Sequence, residues 1–393
     1  MSTPGFSRLR LDRMHDVLAE RVEQGAAPGI VTAVSRRGGT HLEAIGMQDI
    51  AGGTPMRHDA IFRIASMTKP IAAVAAMILV EECKLRLDEP VDRLLPELAG
   101  RKVLKKPDGP LDDTVPAQRP ITLRDLLTMR MGFGLIMEAS GDWPIQRAMS
   151  EAGIDPGPNP PALPPEDLLR RFGSLPLMHQ PGERWQYHSS FDVLGVLIAR
   201  AAGQPLEDFL AERIFRPLGM QDTGFAVPEA KRARLAASCQ ADPASGRLVP
   251  RDDGFAVQPS GSTGLFSTVD DYLAFGRMML NGGRHGSQRI LARPSVEVMT
   301  TDQITPEQKA ASTFFPGFWE RQGWGFGVSM ITRRDHIAAV PGRFGWDGGF
   351  GTSWASDPHE DMVGVLMVQR LFDPVVIDLH ADFWTLAYQA IDD

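Results

Sequence analysis

The sequence predicts an α+β fold in which both ends of the chain complete one antiparallel sheet and a mostly helical block is inserted between them. Three observations carry this. Strand-like runs occur near the start and again after Trp324, residues 70–282 read as helices punctuated by prolines, and a helical stretch stands at each end. The domains expected are therefore 1–62 with 283–393 for the sheet and 63–282 for the helices, with an active site at their interface.

Leu11, Met14, Leu18 and Val22 recur at helical spacing and predict a helix over 9–24 that Gly25 helps to end. The runs 29–35 and 41–47 flank Arg36-Arg37-Gly38-Gly39 and predict a β-hairpin with a glycine turn. Residues 61–64 read as a short extended piece leading into a helix over 70–83. Further helices are predicted over 123–131, 165–172, 191–202, 205–214 and 268–280, with Thr122 and Thr268 as caps. The span 135–165 is rich in glycine and proline and reads as a long loop, a lid or binding wall, with a disordered insertion as the alternative. Strands follow over 324–332, 350–355 and 362–368, then a closing helix over 376–390. No internal repeat of solenoid period is present.

Composition narrows the function classes. A chain of 393 residues with 43% hydrophobic and 23% charged residues has the proportions of a globular protein. A net charge of −8 and a pI near 5.6 argue against a nucleic-acid surface, which needs a basic stripe. The pairs Lys105-Lys106 and Arg333-Arg334 read as solvated turns. Cys83 and Cys239 are too few and too far apart for a disulfide framework or a zinc site, and Cys83 reads as a buried or boundary thiol. The N-terminus shows no apolar signal core, and no run reaches the roughly 18 apolar residues of a spanning helix. A cytoplasmic protein without membrane association is expected.

Chemistry concentrates in three places. Ser66 precedes Lys69 by three residues, and among the seven lysines only this one has a serine at that distance. Side chains at i and i+3 share a helical face, close enough for proton transfer. Pro70 is tolerated only near a helix start, so the helix is expected to begin at about Ser66 and to leave its N–H free. The positive helix end and the apolar run 71–80 both disfavour a charged Lys69. On spacing alone, a capping serine beside a surface lysine is the preferred reading. Tyr187 follows the turn Gln180-Pro181-Gly182-Glu183, and its phenol can hold or relay a proton near Lys69, whose charge would lower the phenol's pKa; a packed aromatic is the alternative. Gly345-Trp346-Asp347-Gly348-Gly349-Phe350-Gly351 enters a strand, where glycines mark close approach of a ligand or backbone.

Together these residues resemble the serine hydrolases of the penicillin-binding-protein and class C β-lactamase superfamily, in which Ser-x-x-Lys is a signature. Supporting phrases are Leu85-Arg86-Leu87-Asp88-Glu89-Pro90-Val91, Ile121-Thr122-Leu123-Arg124-Asp125-Leu126-Leu127 and Pro217-Leu218-Gly219-Met220. The resemblance implies a β-lactamase-like fold, with Ser66 as the acylated nucleophile and Lys69 as its amine partner. It puts Tyr187 at the start of the family's Tyr-x-Asn motif and Trp346-Asp347-Gly348 where Lys-Thr-Gly would be. The N–H groups of Ser66 and Gly349 become the oxyanion donors. Ser189 replaces the asparagine, and Trp346 replaces the lysine that positions a β-lactam carboxylate. This combination resembles family eight bacterial carboxylesterases, and no Gly-x-Ser-x-Gly elbow offers another nucleophile.

The expected activity is hydrolysis of small or short-chain carboxylic esters through an acyl-enzyme, with no metal or organic cofactor. Trp346, Asp347, Gly348, Ser189, Phe133, Trp143 and Trp185 are expected to bind substrate, and Arg343 to lend a positive charge. His188 is expected to point away from the site. A β-lactamase or D-Ala-D-Ala peptidase, an acyltransferase or amide hydrolase, and a non-enzymatic ligand-binding relative are the other readings. The natural ester and the oligomeric state are not legible.

Overall fold

A computed structural model describes residues 4–50, 53–137, 143–312 and 314–393. Helix α1, Arg8–Glu23, opens the chain and buries Leu11, Met14 and Leu18. The hairpin β1, Gly29–Arg36, and β2, Gly39–Gly46, follows in the expected place, turning through Arg37 and Gly38 at positive φ. The remaining strands of the sheet come from the C-terminal third: β3, Gln322–Trp324; β4, Ser329–Ile331; β5, Phe344–Asp347; β6, Ser353–Asp357; β7, Met362–Met367. Their order is β3-β4-β5-β6-β7-β1-β2, with every neighbouring pair antiparallel. Val31 faces Met367 across the join between the two ends of the chain, and Trp346 faces Trp354 across β5 and β6.

Both faces of this sheet are covered, which is why β1 and β7 are buried along their whole length instead of alternating. On one face α1 packs with the closing helix, Pro374–Gln389, around Ile30, Val34, Leu366, Leu379 and Phe383. The other face meets helix Val269–Leu280, whose Tyr272 and Phe275 pack on Trp354 at 5.6 and 5.5 Å between ring centroids.

Between the hairpin and β3 lie the helices. The central one, α2, Thr68–Glu81, is buried from Thr68 to Leu79. Thr122 caps α3, Leu123–Leu127, in a reciprocal box with Asp125. This helix stops four residues short of its expected end, and Met129 takes φ +55 just beyond it. The span 135–165 is not an uninterrupted loop; Pro144–Ala152 forms α4, with proline at its start and Gly153 at φ +64 closing it. Ile145 and Met149 anchor α4 in the core. Residues 138–142 of that span lie outside the described residues. Helix α5, Pro165–Ser174, follows, and α6, Ser189–Ala202, packs on α2.

Cys83 is exposed just past the end of α2, and Cys239 is buried with its thiol donating to the Gln369 carbonyl at 3.0 Å. Among the described residues, no helix is long and apolar enough to cross a membrane. Phe383 sits fully buried between the closing helix and the sheet. Phe383→Ala is expected to cost about 3–5 kcal/mol in urea unfolding.

Candidate active site

Ser66 lies on a single 3₁₀ turn, Ala65–Met67, that runs directly into α2. Pro70 is the third residue of α2, where its missing N–H costs no helical bond. Ala65 is held at φ +41, a strained conformation for a residue with a Cβ. Three contacts hold it there. Ile64 N–H donates to the Leu265 carbonyl at 2.9 Å, the Tyr272 hydroxyl donates to the Met67 carbonyl at 2.7 Å, and Phe62–Arg63 pairs with Phe266–Ser267.

Lys69 is fully buried beneath this turn, with Nζ 3.0 Å from Ser66 Oγ. Nζ also donates to the Ser262 carbonyl at 2.8 Å. Burial pushes the amine's pKa down from 10.5 to about 7, against the pull of the Asp192 carboxylate. Tyr187 comes from the segment before α6 and is fixed by Leu135 N–H on its carbonyl at 2.9 Å. Its hydroxyl accepts the Trp346 indole N–H at 2.7 Å, with the Ser66 hydroxyl near enough to act on the phenol. Nζ of Lys69 stands 4.7 Å from the Tyr187 ring centre. The three groups therefore converge. The phenol's pKa moves up, not down as the nearby lysine suggested, because burial outweighs the hydrogen bonds it receives.

His188 corrects a second expectation. It is not helical; φ +88 and ψ −74 turn it so that both it and Tyr187 face Lys69. Its Nδ1 lies 3.5 Å from Nζ, and its Nε2 lies 3.7 Å from Asp192 Oδ2. Burial, followed by the charge of Lys69, drives the imidazole pKa well down and keeps it neutral. Asp192, one turn into α6, accepts from Ser260 Oγ at 2.8 Å and from Ser262 Oγ. Burial pushes its carboxyl pKa up. Ser262 thus joins the two buried charges, with its carbonyl on the lysine and its hydroxyl on the aspartate. Gly195 and Gly261 make this possible: a Cβ on Gly195 would stand 2.6 Å from Gly261 N, so only bare backbone lets the 260–262 segment lie on α6.

The second wall is β5 and its turn. A Cβ on Gly348 would collide with the Ile64 carbonyl and the Thr352 hydroxyl, so glycine brings this turn against the Ser66 turn. Thr352 Oγ1 itself donates to the Ile64 carbonyl at 3.3 Å. Gly349 is fixed through its carbonyl, which accepts Phe372 N–H at 2.9 Å. A Cβ on Gly349 would lie 3.2 Å from Pro158, so the proline-rich segment forms a wall here. Thr263 Oγ1 pins it by donating to the Pro158 carbonyl at 2.5 Å.

The other expected pocket residues separate. Trp346 and Asp347 are at the site, and Asp347 accepts from Ser353 Oγ at 2.5 Å. Ser189 is buried at the start of α6, and its hydroxyl has no hydrogen-bond partner among the described residues. Trp185 is buried behind Tyr187, stacked at 5.8 Å and edge-on to Phe314, Trp319 and Trp324, so it backs the phenol. Phe133 is buried edge-on to Phe172 at 5.6 Å, in the core. Trp143 is half-buried at the start of α4. The Arg343 guanidinium does not reach toward Ser66; it lies 3.9 Å above the Trp384 ring and donates to the Ala338 carbonyl at 2.5 Å. Among the described residues, no cluster of three His, Cys, Asp or Glu is placed to hold a metal ion.

A family profile described as Beta-lactamase matches residues 14–388. Protein Rv1367c of Mycobacterium tuberculosis (strain ATCC 25618 / H37Rv) is 38% identical over 380 residues, covering 93% of this chain and 91% of that protein. Esterase EstB of Burkholderia gladioli is 32% identical over 391 residues, with coverages of 93% and 91%. The solved structure of EstCE1, described as a hydrolase with promiscuous acyltransferase activity, shares the fold. Its TM-score is 0.78 at 23% identity, over 96% of this chain and 98% of that one.

Two substitutions test the geometry through the pH dependence of Ser66 labelling by a fluorophosphonate. Asp192→Asn keeps a hydrogen-bond acceptor but removes the charge that raises the Lys69 pKa. The acid limb, expected near pH 7 in the native protein, is expected to move down by about one unit. Gly348→Ala is expected to slow labelling at least about tenfold and to cost about 1–3 kcal/mol of stability, because backbone must shift.

Proposed function

The chain belongs to the Beta-lactamase family of serine hydrolases, and from that premise we propose that it is a carboxylic ester hydrolase working through an acyl-enzyme on Ser66. The observation that carries this reading is the tryptophan at position 346. Where a lysine would bind a substrate carboxylate, an indole N–H is already committed to the Tyr187 hydroxyl at 2.7 Å. Asp347 beside it adds negative charge. Both features suit an uncharged ester better than an anionic β-lactam or peptide carboxylate.

In the proposed reaction, neutral Lys69 takes the Ser66 proton across 3.0 Å as Oγ attacks the ester carbonyl. The backbone N–H groups of Ser66 and Gly349 receive the developing oxyanion. Tyr187, kept protonated by burial, gives its proton to the departing alkoxide and recovers one from Lys69. Water then enters and is deprotonated by the same pair, which releases the acid and restores Ser66. The chemistry calls on no metal or organic cofactor. His188 and Asp192 hold Lys69 in place and touch no reacting atom.

Acyl transfer is a second reading, since an alcohol entering in place of water meets the same base; EstCE1 carries both activities in its description. Intact mass after fluorophosphonate treatment is expected to show one adduct, absent from Ser66→Ala. For p-nitrophenyl butyrate, kcat/KM is expected to exceed that for nitrocefin by about 100-fold or more. Faster nitrocefin turnover would overturn the ester assignment, and a persistent adduct in Ser66→Ala would overturn the nucleophile.

A further inference from the structure

Resting on the ester-hydrolase reading, we propose that a groove beside Trp346 takes the uncharged hydrocarbon arm of a medium-chain ester, so that short esters are the poorer substrates. The groove has a volume of about 800 Å³. It runs between the 314–322 segment, strand β4 and the closing helix, with Trp346 and Asp347 in its lining. Trp346 donates to the Tyr187 hydroxyl, so the groove lies one side chain away from the phenol whose ring stands 4.7 Å from Lys69 Nζ.

Its size and lining select the class of ligand. Cavities of roughly 300–1,000 Å³ hold drug-sized molecules, and an acetyl or butyryl group would leave most of this one wet. Three of the ten large apolar side chains exposed among the described residues line it: Phe315 at 46%, Phe372 at 36% and Ile377 at 50%. Phe315 and Phe372 come from separate elements, yet their rings stand 6.4 Å apart at the groove. Exposed apolar side chains grouped in this way mark a binding surface, whereas scattered ones do not.

Charge excludes an anionic arm. Asp347, Glu320 and Asp335 all line the groove, with Asp347 facing His380 at 3.8 Å. Of the groove's cations, Arg343 is stacked on Trp384 and bonded to the Ala338 carbonyl, and Arg321 lies 3.6 Å from Asp335. A carboxylate in the groove would share it with three carboxylates, while both of its guanidinium groups are already engaged. The ligand chemistry is therefore a hydrocarbon chain carried by a neutral ester. The arm can belong to the acid or to the alcohol.

Two substrate series separate those sources: p-nitrophenyl esters from acetate to decanoate, and alkyl acetates from ethyl to decyl. In at least one series kcat/KM is expected to climb tenfold or more between four and eight carbons, under a ceiling of about fourfold per buried methylene. Phe315→Ser and Ile377→Ser strip the lining at exposed positions, and Ala381→Trp fills the groove. Each is expected to lower the ratio of eight-carbon to two-carbon kcat/KM about fivefold, with unchanged melting temperature. Both series flat, or a ratio unmoved by all three substitutions, would overturn the groove assignment while acetate hydrolysis and Ser66 labelling leave the ester reading standing. A protein inert to every ester would remove both.

Discussion

The site depends on keeping one amine out of water. Lys69 has no exposed surface, and burial moves its pKa from 10.5 to about 7, a shift that disfavours the charged form by several kcal/mol. An amine so placed can accept a proton near neutral pH, and it stands at hydrogen-bond distance from the Ser66 hydroxyl. The same burial raises the phenol of Tyr187 and lowers the imidazole of His188. One proton therefore has few places to rest. Asp192 limits the effect, because its carboxylate pulls the lysine back toward charge. The balance between desolvation and this carboxylate sets where Lys69 titrates.

Holding four chain segments around that amine requires close backbone approach. The Ser66 turn, the Tyr187 segment, the 260–262 segment and the β5 turn are far apart in sequence. They meet where side chains are absent: Gly348 against Ile64, and Gly195 against Gly261. Strain gathers at the same place, with Ala65 and His188 both at positive φ. Such conformations persist only where surrounding packing fixes them, and the rigid helix α2 below and the covered sheet beside it supply that packing.

Much of this was legible in the sequence. Periodicity located α1, the hairpin and α2, and threonine caps located α3 and Val269–Leu280. The Ser66–Lys69 spacing named the pair, and the scarcity of tyrosine drew attention to Tyr187. What escaped was decided by tertiary contacts. Asp192 sits in an apolar helix, where the 3.6-residue pattern says nothing of a buried acid whose partners are two serines 68 and 70 residues away. His188 was misread because its backbone is not helical. Prolines hid α4, although Pro144 and Gly153 are a start and a stop signal. Trp185 and Phe133 were expected in the pocket because they are aromatic near the motif, and the same property buries them in the core.

The protonation state of Lys69 can be read directly. With seven lysines in the chain, protein labelled with 13C at lysine Cε gives few enough resonances to follow each through a pH titration. One resonance is expected to titrate near pH 7 and to be missing from Lys69→Arg. Seven resonances all titrating near 10.5 would contradict the account, because the amine beside Ser66 would then be a cation throughout the range in which it must accept a proton.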